Sequence, residues 1–277
     1  MITRQAVAKF VEDHHLADAV ICLHSSFKSF GKVEGGPQTI VDGFLQSGCT
    51  LLVPTFFYHS GTFPVGHSYE QNGIDYEKVV TMPAQSFEDR PDQIDRSMGV
   101  IPRTILERQP ALREKNPHDS FGAIGPLAEF LLHDHDVLSV YSAYKNIYRN
   151  NLPAFVVLAG VGLTSCTPVH FAEEVAGRCL FRRWAVYRGE TVEVEVGSCS
   201  DGFDHLNAAV TDVETLDYLG ESPVRIYAFN AFVDAVASAI RTDPSITQCS
   251  VPGCERCRDM TAGGRRAQTR GWHDARG

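Results

Sequence analysis

The sequence has no apolar run approaching the roughly 20 residues that a helical membrane span needs. Its first 20 residues, with Glu12, Asp13, His14 and His15, lack the pattern of a signal peptide. A soluble cytoplasmic protein is therefore expected, with no membrane partner. There is no excess of basic charge. The 25 Lys and Arg residues are outnumbered by 34 Asp and Glu, for a net charge of −9, which argues against general nucleic-acid binding. That balance is compatible with a cationic small molecule. There is no Gly-Lys-Ser/Thr run, so no P-loop, and the glycines at 31, 35 and 36 are wrongly spaced for a dinucleotide fingerprint. No internal repeat is visible. A disulfide framework is missing too: of eight cysteines, Cys22, Cys49, Cys166, Cys179 and Cys199 are scattered singly, as thiols in a reducing compartment are. Cys249, Cys254 and Cys257 have partial zinc-site character, but the next donor, His273, is distant, and no metal is expected.

What is present is ordinary globular composition, 43% hydrophobic and 21% charged, in a length sufficient for one large core. Apolar runs at 20–23, 50–53, 120–124, 154–159 and 223–227 read as strands. Helical periodicity appears over 3–14, 37–46, 101–108, 126–133, 142–149 and 231–240, and more weakly over 203–211 and 213–218. The segments 179–188 and 191–196 flank Arg188-Gly189-Glu190 and read as a hairpin. Residues 55–98 are aromatic, acidic and aperiodic, long for a loop and hence functional or carrying small elements. The alternation of strands and helices gives the fold class α/β, with a mixed, mainly parallel sheet expected. Residues 261–277, with Gly263-Gly264-Arg265-Arg266, read as a disordered basic tail.

The stretch 164–174 carries the most chemistry. It follows the 154–159 strand, and Gly160 and Gly162 break that strand. Thr167 suits an N-cap and Pro168 the first helical position, so His170 falls in the first turn of a helix. The positive helix end favours a neutral ring, as a general base requires. Glu173 and Glu174, three and four residues on, share its face. Either could bind one ring nitrogen and leave the other for a substrate. Spacing alone also allows a second cap and a pair of dipole-compensating acids.

The loop 24–37 joins a strand to a helix. Its backbone amides, the hydroxyls of Ser25, Ser26 and Ser29, the glycines Gly31, Gly35 and Gly36, and Lys28 and Lys32 suit a pyrophosphate. The same residues also make an ordinary Ser/Gly-rich connector.

The pattern Thr167-x-x-His170-x-Ala172-Glu173 resembles the signature of the aminoglycoside 3-N-acetyltransferase family. So do His24-Ser25-Ser26-Phe27-Lys28-Ser29-Phe30-Gly31 with Glu34-Gly35-Gly36-Pro37, then Met98-Gly99-Val100-Ile101-Pro102, then Asn116 to Pro126, in the family's order. The chain has Asn116 where many members have His. The resemblance implies one compact α/β unit over 1–260 with flanking and inserted helices, and an acetyl-CoA-dependent enzyme acetylating an aminoglycoside 3-amino group by direct transfer. It implies His170 as base, Glu173 as its orienting partner, and acetyl-CoA on His24, Ser25, Ser26, Lys28, Ser29, Gly31, Gly35 and Gly36. Ser165 and Thr167 are candidates for the oxyanion. For a polycationic substrate Glu174, Asp92 and Asp95 are the expected carboxylates, with Glu70, Asp75, Glu77, Glu88 and Asp89 as an acidic wall. Two alternatives stand beside this: an N-acetyltransferase of another small amine, and a non-catalytic acyl-CoA-binding protein.

Overall fold

The computed structural model describes residues 1–63, 69–79, 83–133 and 136–266. In chain order the elements are α1 (Arg4–Asp13), β1 (Val20–Ser25), α2 (Pro37–Gln46), β2 (Thr50–Pro54), β3 (Gly61–Thr62), α3 (Val100–Leu106), β4 (Leu112–Arg113), β5 (Phe121–Ile124), α4 (Ala128–Leu132), α5 (Ser142–Asn150), β6 (Ala154–Ala159), α6 (Pro168–Val175), β7 (Phe181–Tyr187), β8 (Glu190–Val196), α7 (Asn207–Val210), β9 (Glu214–Leu219), β10 (Ser222–Ala228), α8 (Phe229–Thr242) and α9 (Glu255–Thr261).

A seven-stranded sheet has the order β4-β5-β2-β1-β6-β10-β9, and a three-stranded sheet the order β3-β7-β8. The large sheet is mixed, but it is not mainly parallel as expected. Only β1–β2 and β1–β6 pair in parallel. The β2–β5, β4–β5, β6–β10 and β9–β10 pairings are antiparallel. The reason lies in the connections: a helical crossover permits parallel pairing, whereas the short turn through Gly220 and Glu221 forces β9 and β10 into a hairpin.

The central strands bury both faces. Val20, Cys22, Leu52, Val156 and Leu158 point to one core, packed with apolar residues of α4, α5, α6 and α8. Ile21, Leu23, Leu51, Val53 and Val157 point to the other, packed with α1, α2 and α3. This period-two division makes three layers, helices on both sides of a sheet.

Sequence signals explain most boundaries. The Thr3 hydroxyl accepts from Ala6 N at 3.2 Å and starts α1. Gly36, at φ 77°, and Pro37 start α2. Residues 213–218, expected to be helical, instead run into β9: Thr215, Leu216, Asp217 and Tyr218 are exposed, so no alternation of burial marked the strand. The described parts of 55–98 wrap the small sheet. Phe87 bridges to Tyr187, and the Asn72 side chain bonds both backbone groups of Arg182. Residues 261–266, expected to begin the tail, are packed: Cys179 pairs with Gly264, and Arg266 N donates to Glu70 O at 3.2 Å. Residues 267–277, including His273, lie outside the described residues. Among the described residues no helix is long and apolar enough to cross a membrane.

Candidate active site

The ends of β1 and β6 point toward the N-terminus of α6, and the site is built there. Thr167 occupies the N-cap position but has helical angles and makes no side-chain cap bond. Its hydroxyl is therefore not consumed by the helix, contrary to the capping role expected. His170 N donates to Thr167 O at 3.0 Å, in a tight first turn.

His170 Nδ1 lies 3.1 Å from Glu173 Oε2 and 3.4 Å from Ser198 Oγ. Ser198 Oγ donates its one proton to Glu173 Oε2 at 2.7 Å. In the neutral ring this places the proton on Nδ1 and makes Nε2 the accepting nitrogen. Glu173 is fully buried, and Arg178 Nη1 donates to its Oε1 at 2.7 Å. Arg178 is itself held by Thr247 Oγ1 and Pro244 O. The imidazole lies parallel to the Tyr141 ring at 6.2 Å and meets Phe203 edge-on at 4.7 Å. Charge, hydrogen bonding and packing thus all fix one ring orientation.

Two cavities adjoin at His170. The first, about 400 Å³, is lined by β1 and β2 ends, Ser97, Met98 and Pro102, and the segment from Val161 to His170. The second, about 380 Å³, is lined by residues including His118, Asp119, Tyr141, Arg183, Ser198 and Arg256. Phe56, Tyr58, His170 and Ser200 line both.

Of the residues expected to bind the cofactor, His24 and Ser25 line the first cavity. Ser26, Lys28, Ser29, Gly31, Gly35 and Gly36 are absent from the lining of either. Lys28 is exposed, Ser29 Oγ is taken up by Ser26 O and Ser222 Oγ at 2.7 Å each, and Gly31 lies against the Glu221 carboxylate. Burial of Phe30 turns this short helical segment inward, and its one hydroxyl, Ser29, serves the protein. His24 is different: its Nε2 is buried with no partner. Desolvation lowers its pKa to about 4, against the weaker opposing effect of the Ser165 backbone carbonyl, which accepts from the ring.

The expected carboxylates divide in the same way. Glu174 lines neither cavity and pairs with Lys145 at 2.7 Å. Asp92 pairs with Arg90 and is exposed. Asp95 caps a short helical turn: burial would raise its pKa, but bonds from Ser97 hold it below the usual carboxylate range. Asp75 pairs with Lys78, and Asp89 with Arg188. None of the expected acidic wall lines either cavity, because local basic partners have taken up much of it. The carboxylate that does face the second cavity is Asp119, bonded to His118 Nδ1 at 2.6 Å.

The profile of the aminoglycoside 3-N-acetyltransferase family matches residues 22–241. The chain belongs to this family. An aminoglycoside N(3)-acetyltransferase III from a Salmonella species is 28% identical over 193 residues, 68% of this chain and 65% of that relative. The chain thus matches just under two thirds of that relative's length. Among solved structures, a histidine-to-alanine variant of aminoglycoside acetyltransferase AAC(3)-IVa in complex with a gentamicin superposes with a TM-score of 0.72, at 20% identity over 95% of this chain and 97% of that one. A binary complex of AAC-IIIb with CoASH gives 0.70, at 20% identity over 87% and 96%. The fold is thereby the family's.

Sequence reading misses Ser198, Arg178, Tyr141 and Gly197. Only Gly197 carries a local signal, an isolated glycine at a strand end. A Cβ there would lie 2.6 Å from both His170 Cγ and the Tyr141 hydroxyl. Gly197→Ala is therefore expected to displace the ring and to lower turnover on the order of 10²-fold, as a misplacement of about 1 Å does. Circular dichroism should show the fold retained, and steady-state kinetics should show the loss mainly in kcat.

His24 adds a pH prediction. Its folded pKa, about 4, lies below the ordinary value of 6.5. Between these values the unfolded state binds the extra proton, so stability rises with pH there and falls as pH drops from 6.5 to 4. The loss is roughly 3 kcal/mol for a shift of this size. Urea unfolding across that window should show this component in the parent protein and lack it in His24→Phe.

Proposed function

We propose that the chain is an acetyl-CoA-dependent N-acetyltransferase of aminoglycosides, acting by direct transfer with His170 as general base. The observation that carries this reading is the place of His170, oriented by Glu173 and Ser198, where two cavities meet. The first cavity takes the thioester end of acetyl-CoA. Its size is that of a small-molecule site, and the partnerless His24 Nε2 offers a ligand a hydrogen-bonding atom. The second takes the amine, with Asp119 as its carboxylate.

In the reaction the amine nitrogen, deprotonated through His170 Nε2, attacks the thioester carbonyl carbon. A C–N bond forms, the tetrahedral oxyanion collapses, the C–S bond breaks, and the sulfur leaves as the coenzyme thiol with a proton. The imidazolium that forms in between is stabilised by buried Glu173. Thr167 lines the first cavity and its hydroxyl makes no cap bond, so it is the oxyanion donor this reading favours over Ser165.

One observation favours the second reading, an amine other than an aminoglycoside. Arg183 and Arg256 both line the second cavity, and two guanidinium groups suit an amine that also carries an anionic or strongly accepting group. Thiol release from acetyl-CoA, followed over aminoglycosides and over amino acids and acidic amino sugars, decides between them. Turnover with aminoglycosides alone supports the first reading. Turnover with the acidic amines alone supports the second. Coenzyme A binding by calorimetry with no amine-dependent thiol release overturns both in favour of a binding protein.

A further inference from the structure

Behind the active site the fold brings Cys199 to three cysteines that lie close together in the sequence. Cys199 lies just after β8; Cys249 and Cys254 precede α9, and Cys257 lies in its first turn. Their four sulfur atoms all lie within 4.8 Å of one another. Sulfurs bound tetrahedrally to zinc at about 2.3 Å are about 3.8 Å apart, so this cluster is close to a ligand cage. All four thiols are free, and Cys249 N–H points at Cys257 Sγ, 3.3 Å away. Spacing along the sequence offers only His273 as a fourth donor, which is why no metal is expected from it. Cys199 fills that position instead, through a fold contact 50 residues away from Cys249.

We propose that Cys199, Cys249, Cys254 and Cys257 form a tetrahedral zinc site that ties α9 to the loop supporting His170 and Glu173. Four sulfur donors in a compact set select zinc over hard cations, and a closed shell of four leaves no position for water. The site is therefore structural. On binding, four sulfur–zinc bonds form, and the protons displaced from the thiols pass to solvent. The link to catalysis runs through short stretches of backbone. Arg256, between two of the ligands, donates to the carbonyls of Gly197 and Ser198. Ser198 in turn bonds Glu173, and Gly197 abuts the His170 ring. With the metal removed, the loop loses its anchor to α9, and both contacts loosen.

The test uses the full chain without a histidine tag, purified from zinc-supplemented cells. Elemental analysis should find about one zinc per chain, released by an organomercurial thiol reagent and detected with a chelating dye. Cobalt exchanged into the site should give the intense absorption of tetrahedral thiolate coordination. Cys254→Ser should lose most of the zinc and the cobalt spectrum, and Cys22→Ser, at a buried thiol outside the cluster, should keep both. Metal-free protein with no cobalt uptake overturns the proposal, as does a cysteine pair that thiol titration of the unfolded chain shows to be a disulfide. Iron–sulfur absorption in the purified protein overturns the assignment to zinc. These readouts do not depend on acetyl transfer, so they stand or fall separately from the function proposed above.

Discussion

His170→Ala is expected to lower kcat/KM for acetyl transfer by about 10²–10⁴-fold, the usual consequence of removing a general base. The size follows from geometry: Nδ1 is committed to Glu173 and Ser198, so Nε2 is the nitrogen left for the substrate proton. The variant should remain folded. The ring packs against Tyr141 and Phe203 but carries no backbone of the sheet, and cavity formation at one edge of the core costs far less than unfolding. Coenzyme A affinity, read by calorimetry, should stay close to that of the parent. A folded His170→Ala protein with most of its activity would transfer the base assignment to His118, which lines the second cavity.

Arg178→Leu is expected to cost about 3–5 kcal/mol of stability, the range for breaking a buried ion pair from one side. Glu173 has no exposure to water, and Arg178 is its cationic partner. Without the guanidinium, the buried carboxylate either stays charged and destabilises the fold or takes up a proton and ceases to balance the imidazolium. Stability and turnover should therefore fall together. Urea denaturation would measure the first and thiol release the second. In the double variant Glu173→Met/Arg178→Leu, stability should partly return, because neither charge remains to be buried, while activity should not. A loss below about 1 kcal/mol in Arg178→Leu would show that the pair is dispensable.

Local patterns carry the element boundaries well where punctuation is strong. Gly36-Pro37 marks α2, Arg188-Gly189 the β7–β8 turn, and Thr167-Pro168 the start of α6. Helical spacing also brings Glu173 and Glu174 within reach of His170, but it does not choose between them; the fold gives the ring Glu173 and gives Glu174 to Lys145. β9 is not, because an edge strand with both faces largely wet has no hydrophobic period to read. The remainder of the site escapes for a different reason. Ser198, Arg178 and Tyr141 reach His170 and Glu173 through tertiary packing, and Cys199 reaches its fellow cysteines across the same gap. Nothing in a one-dimensional pattern orders such meetings. The expected phosphate loop shows the converse, with the right residue types at 26–36, yet the Ser29 hydroxyl is taken up within the protein and none of these residues lines either cavity.

The central place of β1 also sets a clock. Its register, Val20 with Ala154 on one side and with Thr50 on the other, joins strands made early and late. Ribosomes add about 5–20 residues per second. The 134 residues from Val20 to Ala154 thus take roughly 7–27 seconds to emerge, during which β1 and β2 can pair but one apolar edge stays open. The nascent chain is exposed to aggregation for that interval, and lower growth temperatures or chaperone supply should raise the soluble yield more than any change to the mature surface.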